Sequence, residues 1–88
     1  MRSETYATRG ARGVRIMWKE LVRGRKNYGP FASMHEAWGV LAEEVEELTE
    51  AIRMKQGDPA RAASIEREAI QVAAVALRIA IEAMACTR

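Results

Sequence analysis

Cysteine occurs once in this 88-residue sequence, at Cys86, so there is no intrachain disulfide and no thiolate cluster for a metal. Histidine also occurs once, at His35, which removes the usual His/Cys cage for zinc. Proline occurs only at Pro30 and Pro59; residues 60–88 hold neither proline nor glycine, and 34–56 hold Gly39 alone. Long stretches therefore lack helix breakers. No uninterrupted apolar run of 18 residues exists, and the opening MRSETYATRGARG is too polar for a signal peptide. These absences predict a cytoplasmic protein with no membrane association.

Hydrophobic residues make up 49% of the chain, too many for disorder. Eighty-eight residues make one domain, and a chain this small buries only about 60–65% of its unfolded surface. So generous an apolar supply suits a homodimer or homotetramer that shares its core. Charge is segregated: residues 1–28 carry eight Lys or Arg against two acids, whereas 29–60 carry seven acids against two bases. The basic third can meet phosphates on a nucleotide or nucleic acid, or pair with the acidic segment of its own fold.

Residues 1–10 read as a flexible basic tail, and 11–88 as one all-α domain. A first helix is predicted from Ala11 to about Lys26, where Val14, Met17, Trp18, Leu21 and Val22 recur at helical spacing. Asn27–Tyr28–Gly29–Pro30 stops it. Ser33 and Glu36 form a capping box for a second helix running to about Lys55, with Gly57 placed for a left-handed end. Asp58–Pro59 then opens a third helix to about Ala85. The short connection makes the second and third helices an antiparallel hairpin, which oligomerisation completes into a helix bundle. In the third helix polar residues gather on one stripe (Arg61, Ser64, Glu68, Gln71, Arg78, Glu82). That stripe is either a solvent edge or one wall of a polar cleft.

On the second helix Trp38, Leu41, Val45, Leu48 and Ile52 share one face, Glu43, Glu47 and Glu50 lie opposite, and Glu44 sits at the boundary. Like charges at this spacing destabilise a helix by roughly 0.2–0.5 kcal/mol per pair. A hard divalent cation is one reason to tolerate them; a solvated acidic face is the other. Glu43–Glu47 lie 10–14 residues before Gly57, and Glu68 and Gln71 lie 11 and 14 after it. Equal rise per residue brings the two groups to one height in a hairpin. Glu44, Glu47, Glu68 and Gln71 then offer four oxygens, half of an octahedral shell.

The segments Lys26–Asn27–Tyr28–Gly29, Ser33–Met34–His35–Glu36–Ala37, Glu43–Glu44–Val45–Glu46–Glu47–Leu48 and Glu68–Ala69–Ile70–Gln71–Val72–Ala73–Ala74 resemble the MazG-like all-α nucleoside triphosphate pyrophosphohydrolases, in particular their small single-unit members. The resemblance spans roughly residues 26–85. It implies an oligomer that uses Mg²⁺ or Mn²⁺ to cleave a nucleoside triphosphate to monophosphate and pyrophosphate. It assigns metal roles to Glu44, Glu47 and Glu68, with Glu43 beside them. Gln71 stands where the family pattern has Asp, and would ligate through its amide oxygen or hold a water. Glu43 or Glu47 would take a proton from the attacking water. Lys26 and Arg78 are candidates for phosphate charge, and Tyr28 and His35 for the nucleotide; each also has an ordinary structural reading. Trp18, Phe31 and Trp38 read as core or subunit-interface residues.

Two other functions fit the same residues. Gln71 suits a non-catalytic nucleotide- or partner-binding module on this scaffold. The bases Arg9, Arg12, Arg15, Lys19, Arg23, Arg25 and Lys26 suit a small nucleic-acid-binding dimer, although the acidic second helix would repel a phosphate backbone.

Overall fold

Helix starts and stops follow from short-range hydrogen bonds. The computed structural model describes residues 4–86 and contains three helices, α1 (Tyr6–Tyr28), α2 (Met34–Arg53) and α3 (Arg61–Cys86). Thr5 caps α1: its Oγ1 accepts from the Thr8 N–H at 3.1 Å. The Arg9 guanidinium donates to the Glu4 carbonyl at 2.7 Å, and Arg12 pairs with the Glu4 carboxylate at 2.8 Å. This start corrects the tail expected over 1–10, because the chain is helical from Tyr6; residues 1–3 of that tail lie outside the described residues. Gly29 ends α1 with φ 70° and ψ −170°, and its N–H reaches the Arg25 carbonyl.

Ser33 caps α2 as its sequence predicts, accepting from Glu36 N–H at 3.1 Å. The Glu36 carboxylate reaches one residue further back than in a standard capping box, to the Ala32 N–H at 3.2 Å. At the other end Gly57 does not take the left-handed conformation; among the described residues only Gly29 does. Arg61 replaces it. Its Nη2 donates to the Ile52 carbonyl at 2.9 Å and its Nε to that of Met54 at 3.1 Å, so a side chain from the next helix closes α2. Asp58 accepts from Ala60 N–H at 2.8 Å, making 58–60 a turn that leads into α3. The helix proper therefore starts two residues beyond Pro59.

α3 is the central element, with α1 and α2 each packed on it and not on one another. The segment before α2 meets the end of α3, where Phe31 N–H donates to Glu82 at 2.8 Å; the end of α2 meets the start of α3 through Arg61. Among the described residues the buried set is Leu21, Ala37, Ala51, Ala74 and Arg78. Ala37 and Ala51 bring α2 onto α3, with Leu41 and Leu48 half-buried beside them, so only the outer part of the large apolar stripe of α2 faces away. Trp38 is 64% exposed, and Val45 and Ile52 are exposed too. On α3 the pattern is likewise reversed: the polar stripe turns inward, while Ala69, Ala73, Ala76 and Ala80 face out.

Candidate metal centre

Three carboxylates meet where α2 passes α3. Glu44 and Glu47 project from successive turns of α2, and Glu68 comes from α3 at the same height. One oxygen of each lies within 4.8 Å of the other two. Glu44 and Glu68 are half-buried and Glu47 is exposed. Glu44 Oε2 is buried and accepts no hydrogen bond. A buried carboxylate oxygen without a donor is unfavourable unless a cation or proton serves it. Glu68 also accepts from the exposed Arg67 Nε at 3.2 Å, a surface pair that offsets part of the charge.

The electrostatics agree with crowding. Burial, then the charge of Glu68, pushes the Glu44 carboxyl above the ordinary carboxylate range. The charge of Glu44, then contact with Glu68, raises Glu47. Both shifts have the sign that a divalent cation would reverse, since it favours the ionised forms. The donor set is three hard oxygens open to solvent on the Glu47 side, which fits Mg²⁺ or Mn²⁺ and not zinc.

Beside this cluster α1 and α2 wall a cleft of about 240 Å³ floored by α3. Glu44, Gln71, Tyr28 and Arg78 line it, so it gathers several of the residues singled out in the sequence. Lys26 and His35 are exposed and do not line it, and Glu43 is exposed on the outer side of α2. Arg78 is the most enclosed charge. Its Nε donates to Glu82 at 3.1 Å, its Nη2 donates to the Gly29 carbonyl, and its guanidinium lies 4.0 Å from the Phe31 ring centre. It clips the α1–α2 connection to α3.

Glu20 is the residue that sequence reasoning missed. Gln71 Nε2 donates to Glu20 Oε2 at 3.1 Å, across 51 positions of chain. Hydrogen bonds from Arg23 and then Gln71 hold Glu20 below the ordinary carboxylate range. With its NH₂ group facing Glu20, the amide keeps its oxygen free to accept elsewhere. Glu20 sat on the polar side of the first helix like any surface acid, and no local pattern marks such a long-range partner.

No family model matches the chain, and no curated protein or solved structure matches it.

Proposed function

We propose that this chain is a Mg²⁺- or Mn²⁺-dependent hydrolase of the MazG-like all-α type, cleaving a nucleoside triphosphate to monophosphate and pyrophosphate in the cytoplasm. The antiparallel α2–α3 hairpin with α1 would be completed into a bundle by a homodimer or homotetramer. The observation that carries the reading is the convergence of Glu44, Glu47 and Glu68 around an oxygen with no donor, at the mouth of a cleft.

Glu44, Glu47 and Glu68 would hold the cation, with Gln71 contributing its amide oxygen. The cation would supply charge compensation for the triphosphate and polarise its α-phosphoryl group. Glu47 reaches solvent, so it would serve as acceptor for the proton of the attacking water, with Glu43 as the other candidate base. Tyr28, on the cleft wall, would lie against the base or sugar. Arg78 would place its remaining donors towards phosphate while clipping Gly29 and Glu82. Mg²⁺-dependent release of pyrophosphate from at least one nucleotide is expected, falling about 10²-fold or more in Glu47→Gln as loss of a general base requires. No turnover of any common ribo- or deoxyribonucleotide with either metal overturns the assignment.

A second reading, a nucleotide-binding module without catalysis, is favoured by the Gln71–Glu20 bond, which ties down the position where the family pattern has Asp. Nucleotide binding without hydrolysis, with turnover restored by Gln71→Asp, would select it. A nucleic-acid surface is less well supported, because Arg12 pairs with Glu4, Arg23 pairs with Glu20 and Arg9 bonds the Glu4 carbonyl.

A further inference from the structure

Glycine stands three times inside α1, at Gly10, Gly13 and Gly24, although it is a poor helix former. A methyl group added at Gly10 or Gly13 would meet no atom within 4 Å. At Gly24 it would lie 3.7 Å from Nη1 of Arg78 and within 4 Å of no backbone atom of α3. That is an ordinary contact distance, so the packing of α1 on α3 does not require a glycine there. What the missing side chain leaves open is the guanidinium.

Arg78 is held on three sides. Its side chain is 10% exposed, its Nε donates to Glu82 at 3.1 Å, its Nη2 donates to the Gly29 carbonyl, and the Phe31 ring centre lies 4.0 Å away. Those bonds use two of its five N–H groups, and Nη1 has no hydrogen-bond partner among the described residues. Nη1 is not enclosed either, and Gly24 and Arg78 both line the cleft. A guanidinium with a fixed plane, little water and spare donors is preorganised to receive an oxyanion.

We infer that Gly24 is a specificity-determining residue of the cleft: by carrying no side chain it leaves Arg78 Nη1 open as the anchor for the terminal oxyanion of a phosphate-bearing ligand. The inference rests on the nucleotide reading of the cleft and adds to it where the far end of the ligand lies. Arg78 is seven residues beyond Gln71 on α3, about 10 Å of helix rise away from the end of the cleft where Glu20 and Glu44 stand. Without a cation those carboxylates repel an anion, so the Arg78 end alone can hold one. With a cation bound, a chain of linked phosphates touches both ends.

The test is calorimetric titration with inorganic pyrophosphate in EDTA, read beside thermal melts. The wild type should bind. Gly24→Leu should bind at least about tenfold more weakly, as the loss of a hydrogen bond to a charged group requires. Gly24→Ala should also bind more weakly, yet melt about 4–8 °C higher, because alanine is the better helix former. Gly13→Ala, which lies off the cleft, should melt higher with binding unchanged. A Gly24→Ala variant that melts lower assigns the glycine to packing and overturns the inference, as does unchanged binding in the folded Gly24 variants. A wild type that binds no pyrophosphate overturns the anchor; if it still turns over a nucleotide with Mg²⁺, the hydrolase reading stands without it. Binding that depends on Gly24 in a chain that turns over no nucleotide keeps the anchor and removes the hydrolase reading.

Discussion

Glu44 combines burial, a charged neighbour and an oxygen with no donor. Such a residue destabilises the chain that carries it unless a cation is present, and the sign with pH follows. The folded chain holds Glu44 and Glu47 protonated at higher pH than the unfolded chain does, because both are raised. Folding therefore binds protons above the ordinary carboxylate range, and stability falls as pH rises from there through the raised values. In thermal melts without metal, the Glu44→Gln variant should be more stable than the wild type at pH 7 and lose that advantage near pH 4. Added Mg²⁺ should stabilise the wild type and leave Glu44→Gln nearly unchanged; equal stabilisation of both would exclude Glu44 as a ligand. Glu20 acts one step away. If Gln71 ligates as proposed, Glu20 is the outer partner that orients it, and Glu20→Ala should weaken Mg²⁺ binding about tenfold by calorimetry. Arg23→Ala, which leaves the Gln71–Glu20 bond in place, should change it far less.

Among the elements, the helix ends carry the clearest tests. Gly29 has φ 70° and ψ −170°, a conformation essentially confined to glycine, yet a Cβ there would meet no atom within 4 Å. The strain of Gly29→Ala is thus conformational alone, and urea denaturation should show a loss of about 1–3 kcal/mol. Ser33→Ala removes the cap of α2 and should lower stability by about 1 kcal/mol. Arg78→Met removes the donor to Glu82 Oε2 and to the Gly29 carbonyl in a half-buried setting, with only the Phe31 N–H left on the other Glu82 oxygen. A loss of about 3 kcal/mol is expected, in the range for breaking a buried pair. An unchanged midpoint with reduced nucleotide affinity would instead mark Arg78 as a substrate group only. Helix boundaries were legible where a side chain caps its own helix, as at Ser33. They were less so where Arg61 closes α2 from across the turn, since that partner becomes near only after the chain reverses.

For the whole molecule, charge separation has a simple consequence. The basic first third and the acidic second segment do not neutralise each other, because α1 and α2 meet only through α3. Most ion pairs among the described residues stay within one helix or its cap, and the exception, Arg12 with Glu66, is long at 3.8 Å. A single copy also leaves Trp18, Trp38 and, on α3, Ala69, Ala73, Ala76 and Ala80 exposed. If copies associate as proposed, the melting temperature should rise with protein concentration, as mass action demands of a folded dimer in equilibrium with unfolded chains. A melting temperature constant over a hundredfold dilution would contradict that.

By itself the sequence determined that there are three helices, roughly where they end, and that Glu44, Glu47 and Glu68 stand at one height. Each of these depends on neighbours along the chain: breakers, caps, a short turn and a constant rise per residue. Periodicity sorts side chains onto faces but does not say which face meets which. Only the tertiary structure decided that the polar stripe of α3 turns inward, that Ala37 and Ala51 with the half-buried Leu41 and Leu48, and not Trp38, face α3 from α2, and that Glu20 binds Gln71. The small residues allow α2 to approach α3 closely, and that approach brings the three carboxylates together while leaving Trp38, Val45 and Ile52 uncovered.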